Sequence, residues 1–98
     1  MVTPPLNLPA WFVYLVSCQD GTFYCGIAKD LARRLAEHNS ADKGAKYTRG
    51  RRPVHLVYAE QVASRAQATQ REGQIKKLTR AKKMAIAAHY GQTRAEAR

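Results

Sequence analysis

Residues 11–28 have the sequence WFVYLVSCQDGTFYCGIA, and this stretch decides the fold. Its two outer parts, residues 11–17 and 22–28, are rich in the aromatic and β-branched residues that are typical of β-strands. Between them stands Gln19-Asp20-Gly21, a combination that favours a tight turn. The stretch therefore predicts a β-hairpin.

The length of the hairpin loop decides whether Tyr14 and Tyr24 share a face, because side chains alternate along a strand. A two-residue turn would place the two rings on opposite faces. A three-residue loop with Gly21 in the left-handed region would pair Tyr14 with Gly26 and Val16 with Tyr24, and both rings would share one face. We predict the three-residue loop, in which Gly26 also leaves room for the Tyr14 ring.

A helix is predicted over residues 31–39, with Asp30 as its N-cap. An unpaired charge facing the sheet would be costly, so a basic residue on the apolar side of this helix needs a buried partner or an anionic ligand. The plainer alternative is a packed stem with its charged head in solvent. At 100° per residue, the apolar stripe contains Leu31, Arg34, Leu35 and His38, and the opposite side contains Arg33 and Glu37.

Residues 40–52 are predicted to be a loop with little regular structure, rich in glycine and basic side chains. Such a loop can bind phosphates, although a solvated loop has the same composition. The candidate nucleic-acid contacts in this loop and in a later helix are Lys46, Tyr47, Thr48, Arg49, Arg51, Arg52, Lys76 and Lys77.

Three further elements are predicted from caps, breakers and apolar patterning. They are a strand over residues 54–60, a helix from the cap Ser64 to about Leu78, and a helix from Arg80, capped by Thr79, to about Tyr90, ended by Gly91.

The predicted fold is α+β, a three-stranded antiparallel sheet flanked by helices in the order β-β-α-β-α-α. Residues 1–10 contain several prolines and are expected to be a flexible arm. Residues 11–90 would form the single domain, and residues 91–98 a frayed tail.

Glu72 lies near the apolar edge of its predicted helix, because Ile75 and Leu78 follow it at i+3 and i+6. A carboxylate at such an edge can bind a cation, or it can pair with neighbouring basic residues such as Lys76. The periodicity leaves both interpretations open.

The chain is short and strongly basic. Its 98 residues suit one small domain, and 17 Lys and Arg against 7 Asp and Glu give a formal charge of +10, which attracts polyanions, nucleic acid first. Cys18 and Cys25 are too few for a zinc site, and neither a signal peptide nor a membrane-spanning apolar run is present. We expect a cytoplasmic protein with reduced thiols and no membrane association.

The order of these elements, with Tyr14, Tyr24, Arg34, His38 and Glu72 at their intervals, resembles the GIY-YIG endonuclease superfamily over about residues 11–78. The chain is most similar to small stand-alone proteins of the YhbQ-like group. Its Gly44-Ala45-Lys46-Tyr47-Thr48 loop also resembles that of the catalytic subunit of a branched-DNA nuclease. Two motif positions depart from the family pattern, where Phe12 replaces a glycine and Cys25 occupies the middle of the second motif.

The resemblance implies a phosphodiesterase that uses one divalent metal ion, Mg²⁺ or Mn²⁺. It implies that Tyr14 and Tyr24 are the motif tyrosines, that Arg34 and His38 are the catalytic pair on the helix, and that Glu72 binds the metal.

The residue types suit this chemistry. The guanidinium of Arg34 is fork-shaped and always charged, and both properties suit the binding of phosphate oxygens. Glu72 is a hard oxygen ligand, and Mg²⁺ typically takes only one or two carboxylates. A free tyrosine has a pKa of about 10, which nearby cations can lower. Tyr14, Tyr24 or His38 could therefore accept the proton, and the sequence does not choose between them.

The leading hypothesis is a metal-dependent DNA endonuclease acting in DNA repair, which recognises branched, flapped or single-stranded DNA by its backbone and shape, with RNA as a second candidate substrate. The alternative is a catalytically weak or inactive nucleic-acid-binding module of the same fold. A third hypothesis is an adaptor whose basic helix binds an acidic protein. The oligomeric state is left open.

Overall fold

The computed structural model describes residues 10–40 and 43–96, with side chains placed as far as residue 92. It shows the predicted α+β fold, a three-stranded antiparallel sheet in the order β2-β1-β3 with helices packed against it. No helix in this part of the chain is both long and apolar enough to cross a membrane. In chain order the elements are β1 (Trp11–Ser17), β2 (Phe23–Ala28), α1 (Leu31–His38), α2 (Lys46–Arg49), β3 (His55–Val62), α3 (Arg65–Lys76) and α4 (Arg80–Glu96).

The hairpin of β1 and β2 has the predicted three-residue loop. Gly21 has a φ of 85°, in the left-handed region. Tyr14 is paired with Gly26, and Val16 with Tyr24. Both tyrosine rings therefore lie on the same face of the sheet, as the loop length predicted.

The two faces of the sheet carry separate hydrophobic cores. On the first face, α3 packs through Ala68 and Ile75. On the second face, α1 packs through Leu31 and Leu35 beside Tyr14. The sheet therefore separates α1 from α3, and this arrangement decides where each candidate residue lies.

Local capping signals explain where the helices begin. Asp30, Ser64 and Thr79 each accept a hydrogen bond from an amide in the first turn of the following helix, at 3.0, 3.2 and 3.2 Å. The side chain of Gln67 accepts from the amide of Ala63 at 3.0 Å, one residue before the cap, rather than from the cap itself as in a capping box. All three predicted caps are confirmed.

The prediction that residues 40–52 lack regular structure is wrong for residues 46–49, which form the single turn of α2. This turn is held by tertiary contacts, which a local sequence pattern does not reveal. Thr48 is fully buried, and Gly44 lies so close to α1 that a Cβ there would be 2.9 Å from the carbonyl oxygen of Glu37. The element order is therefore β-β-α-α-β-α-α.

The predicted end of the last helix at Gly91 is also wrong, because α4 continues to Glu96. A glycine ends a helix when it adopts a positive φ, and among the described residues only Gly21 and Gly44 do so. Residues 97–98 of the predicted tail lie outside the described residues, as do residues 1–9 of the predicted arm.

The remaining boundaries shift slightly. The third strand begins one residue later than predicted and extends two residues further, and α3 ends at Lys76, two residues earlier than predicted.

Candidate active site

Three buried side chains form a hydrogen-bonded chain between the sheet and the adjoining helices. The Tyr14 hydroxyl lies 2.6 Å from Nε2 of His38, and Nδ1 of His38 lies 3.0 Å from the hydroxyl of Thr48. That hydroxyl donates in turn to the carbonyl of Ala45 at 2.9 Å. Tyr14, His38 and Thr48 are 1%, 0% and 0% exposed, so β1, α1 and α2 meet at a contact that is shielded from solvent.

Tyr24 covers this chain from the direction of β2. Its ring centroid lies 6.5 Å from that of Tyr14 and 5.3 Å from that of His38, the latter in an edge-on arrangement. Tyr47 of α2 stacks on Tyr24 at 5.8 Å, and the guanidinium of Arg51 lies 4.0 Å from the Tyr47 ring centre. A continuous stack thus connects the hairpin to the basic loop.

Arg34 lies beside Tyr14 with a side chain that is 31% exposed. Its Nη1 donates to Oε1 of Glu37 at 2.9 Å, while the other carboxylate oxygen lies 3.3 Å from Nε of Arg33. The prediction that Glu37 is on the side opposite to Arg34 is therefore wrong for its carboxylate, because the long side chain reaches around the helix. Arg34 has the partner that its position required.

The surroundings set the protonation states of this cluster. Burial, opposed by a hydrogen bond from Arg34, raises the pKa of Tyr14 to about 12. Burial and then the charge of Arg34 lower the pKa of His38 below its usual value. Tyr14 is therefore a neutral phenol and His38 a neutral imidazole at pH 7.

Comparison with known proteins identifies the family. A model of the GIY-YIG catalytic domain matches residues 10–85. The chain belongs to the GIY-YIG family. GIY-YIG domains are in general nuclease domains, they act on nucleic acid, and nucleases of the family typically use divalent metal ions.

Small GIY-YIG relatives cover most of the chain. A UPF0213 protein of Desulfotalea psychrophila is 53% identical over 83 residues, which span 85% of this chain and 76% of that protein. A UPF0213 protein of Halobacterium salinarum is 53% identical over 74 residues, which span 76% of this chain and 95% of that protein. These matches confirm the predicted similarity to the small YhbQ-like proteins.

Two solution NMR structures confirm the fold. The UPF0213 protein of Bacillus halodurans is 39% identical, with a TM-score of 0.51 over 81% of this chain and 83% of that one. An E. faecalis protein is also 39% identical, with a TM-score of 0.56 over 85% of this chain and 88% of that one.

The helix of Glu72, α3, packs on the first face of the sheet, whereas Tyr14 lies on the second face. Burial and then the carboxylate of Glu72 raise the pKa of Cys25 to about 11. Cys25 stands in β2 between Tyr24 and Gly26, both of which face Tyr14. The carboxylate of Glu72 therefore acts on Cys25, whose two neighbours in β2 face the tyrosine cluster.

The carboxylate of Glu72 suits a metal ion whose other ligands are water and substrate oxygens. The side chain of Glu72 is 21% exposed, and its ion pair with Lys76 is long, at 3.6 Å. No group of three or more His, Cys, Asp and Glu residues that could hold a metal occurs in residues 10–40 and 43–96. One accessible carboxylate fits Mg²⁺ or Mn²⁺, which bind through few protein ligands and retain waters.

The predicted nucleic-acid contacts divide into exposed and engaged side chains. Thr48 is buried and faces His38, so in this arrangement it makes no direct contact with nucleic acid. Arg51 pairs with Asp20 at 2.9 Å, and Arg52 donates to the carbonyls of Ser40 and Arg49. The exposed members are Lys46, Tyr47, Arg49, Lys76 and Lys77.

Three residues shape the site in ways that the sequence did not predict. Glu37 binds Arg34, and Gly44 lets the loop approach α1 with a φ of 98°. Asn39 follows α1 and both donates to and accepts from the backbone of Val54, at 3.1 and 2.7 Å. A glycine shortly after the helix was the one visible signal, because a close backbone approach often requires it.

Proposed function

We propose that this protein is a metal-dependent endonuclease that hydrolyses phosphodiester bonds in DNA. The observation that supports this function is the contact of Tyr14 with a neutral His38 on one side and Arg34 on the other. A proton acceptor and a phosphate-binding cation, side by side, are two requirements of phosphodiester hydrolysis.

Tyr14 is the proposed base, and His38 supports it. With a pKa of about 12, Tyr14 is rarely ionised at pH 7, so it cannot act efficiently alone. A proton from the attacking water passes to the Tyr14 oxygen as the phenolic proton passes to His38. His38 itself is fully buried and acts only through Tyr14.

Arg34 is the proposed ligand of the phosphate oxygens. Its guanidinium is partly exposed and held by Glu37 at 2.9 Å. Because Tyr14 is 1% exposed, water reaches its hydroxyl only when neighbouring side chains move. A substrate phosphate that takes Arg34 from Glu37 would move a side chain that contacts this hydroxyl.

Glu72 would hold the divalent ion, Mg²⁺ or Mn²⁺, by its carboxylate. When bound, such an ion supplies charge neutralisation at the phosphate and at the departing oxygen. The carboxylate is accessible and only loosely paired with Lys76, which supports this assignment.

The exposed basic side chains of α2 and α3 would bind the DNA backbone. Lys46, Arg49 and Lys77 are exposed cations that suit contacts with phosphates, so recognition would rest on backbone and shape, as in branched, flapped or single-stranded DNA. RNA as a substrate, a role in DNA repair and a cytoplasmic location remain predictions.

A metal-titrated cleavage assay tests the proposal. Single-stranded, duplex, nicked, flap and junction DNA would be incubated with increasing Mg²⁺ or Mn²⁺, with chelator as the blank. Arg34→Ala should abolish cleavage. Arg33→Ala is the matched control, because Arg33 also pairs with Glu37 but is 74% exposed. Equal cleavage by the two variants would refute the role of Arg34.

The metal assignment needs its own variant. Glu72→Gln keeps the size of the side chain and removes the charge, so it should remove metal-stimulated cleavage while the melting temperature changes little. A metal titration curve identical to that of the wild type would refute the assignment.

A nucleic-acid-binding module without turnover is the second candidate. The observation that favours it is that α3, the helix of Glu72, packs on the face of the sheet opposite to Tyr14. Salt-dependent DNA binding without cleavage of any substrate at any metal concentration would support this candidate over the nuclease.

A further inference from the structure

The hydrogen bond between the Thr48 hydroxyl and the carbonyl of Ala45 can have only one direction. The carbonyl of Ala45, 2.9 Å away, can accept a hydrogen bond but cannot donate one. The single hydroxyl proton of Thr48 therefore points at this carbonyl. What Thr48 offers to the imidazole of His38, 3.0 Å away, is a lone pair.

The direction of the hydrogen bond from Thr48 to Ala45 also determines which nitrogen of the His38 ring carries the proton. An acceptor facing Nδ1 of His38 requires that Nδ1 carries hydrogen. A neutral imidazole has one N–H, so Nε2 is then bare. The bare nitrogen lies 2.6 Å from the Tyr14 hydroxyl and accepts its proton, which leaves the lone pairs of the phenol oxygen facing away from His38.

The opposite tautomer fails on the same contacts. With hydrogen on Nε2, the imidazole would donate to Tyr14, and the phenolic proton would have no acceptor at His38. Nδ1 would then face the oxygen of Thr48, whose proton is already given to Ala45. All three side chains are shielded from solvent, so water cannot repair the mismatch.

We propose that Thr48 is a positioning residue that holds His38 in its Nδ1–H tautomer and so makes Nε2 the acceptor for the proton of Tyr14. The inference rests on the proposed function for its catalytic meaning, whereas the tautomer is inferred from the three contacts of Thr48 and His38. Tyr47 and Arg49 of the same helical turn are exposed. The turn that would contact the DNA backbone therefore also determines the position of the proton on the His38 ring.

The test combines a spectroscopic and a kinetic measurement on the full chain. Two-bond ¹H–¹⁵N spectra of the wild type at pH 7.5 report which ring nitrogen of His38 carries hydrogen. Thr48→Ser keeps the hydroxyl, and Thr48→Val replaces it with a methyl group of similar size. Thr69→Val, at an exposed position of α3, is the matched control for the Thr to Val change.

We expect the Nδ1–H tautomer in the wild type and in Thr48→Ser. Thr48→Val should lose this preference and lower kcat by about 10- to 100-fold with little change in KM, as loss of an orienting partner typically does. Thr48→Ser should restore most of the rate, and Thr69→Val should behave as the wild type.

Two results would overturn the proposal. One is an Nε2–H tautomer in the wild type, which is decisive even if Thr48→Val does not fold. The other is a folded Thr48→Val with the wild-type kcat. Absence of nuclease activity in the wild type would refute the proposed function instead, and the ring spectra would still decide the tautomer.

Discussion

At the scale of single residues, the site depends on how burial and charge act on Tyr14 and His38. Both rings are almost completely shielded from solvent and share a 2.6 Å hydrogen bond. Desolvation opposes the ionised form of each, so both side chains are neutral at pH 7. The contact between them is therefore a hydrogen bond between two neutral groups.

The lowered pKa of His38 predicts how stability depends on pH. In the unfolded chain histidine titrates near its ordinary value of about 6.5, whereas in the folded state it stays neutral to lower pH. Between the two values the unfolded state binds more protons, so the free energy of unfolding falls as the pH falls, by up to about 1.4 kcal/mol per pH unit. Urea unfolding from pH 7.5 to 5 measures this slope.

His38→Gln is the reference for that measurement, because glutamine does not titrate. The wild type should lose stability faster than the variant below about pH 6.5. Parallel curves would show that burial of His38 does not oppose its protonation. The cleavage rate of the wild type should fall only at still lower pH, where His38 of the folded protein becomes protonated and can no longer accept the proton of Tyr14.

Glu37 predicts an effect on substrate affinity. The hydrogen bond from Arg34 lowers the pKa of the Glu37 carboxylate. This carboxylate therefore competes with a substrate phosphate for the guanidinium of Arg34. Glu37→Gln should therefore tighten DNA binding at low salt by about threefold to tenfold. Fluorescence anisotropy measures the Kd, and weaker binding would show that Glu37 instead orients Arg34 for the phosphate.

At the scale of elements, the parts with local signals were predictable. The turn at Gly21 determines the hairpin register, and the caps Asp30 and Ser64 mark where α1 and α3 begin. Each signal acts within a few residues, so the sequence alone contains it. The placement of Tyr14 and Tyr24 on one face followed directly from the loop length.

The parts that depend on tertiary contact could not be predicted. A single helical turn such as α2 has too few hydrogen bonds to be stable alone, and it forms because Thr48 packs against His38. The carboxylate of Glu37 reaches Arg34 through side-chain torsions that helical periodicity does not describe. The face of the sheet that α3 covers, and with it the surroundings of Glu72, could not be derived from periodicity alone.

Gly44 links α2 to α1 and predicts a stability difference between two glycines. It has a φ of 98°, and a Cβ there would be 2.9 Å from the backbone of α1, whereas Gly50 has a φ of −94° and open space around it. Gly44→Ala should cost about 1–3 kcal/mol of unfolding free energy and weaken cleavage, because α2 carries Thr48. Gly50→Ala should change stability by less than about 0.5 kcal/mol. Equal urea midpoints for the two variants would contradict this account of the loop.

At the scale of the whole molecule, the excess of positive charge predicts a salt-dependent attraction to DNA. The formal charge of +10 creates a positive field, and each phosphate contact releases counterions when DNA binds. Lys46→Ala and Arg49→Ala should each reduce the slope of log Kd against log salt by about 1. Lys82→Ala removes the same charge from an exposed position on α4 and should leave the slope closer to that of the wild type. Equal slopes for all three variants would show that only net charge matters.

The central claim is that Tyr14, through its contact with His38, activates the attacking water. Tyr14→Phe removes one oxygen atom and keeps the ring that packs over Gly26. The most direct measurement is the single-turnover rate of metal-dependent cleavage by Tyr14→Phe, beside Tyr24→Phe and the wild type, with enzyme in excess over a DNA substrate that the wild type cuts. The account predicts that Tyr14→Phe lowers this rate by about 10²- to 10⁴-fold while the Kd for DNA stays near that of the wild type. A rate for Tyr14→Phe equal to that of the wild type, or a large loss confined to Tyr24→Phe, would contradict it.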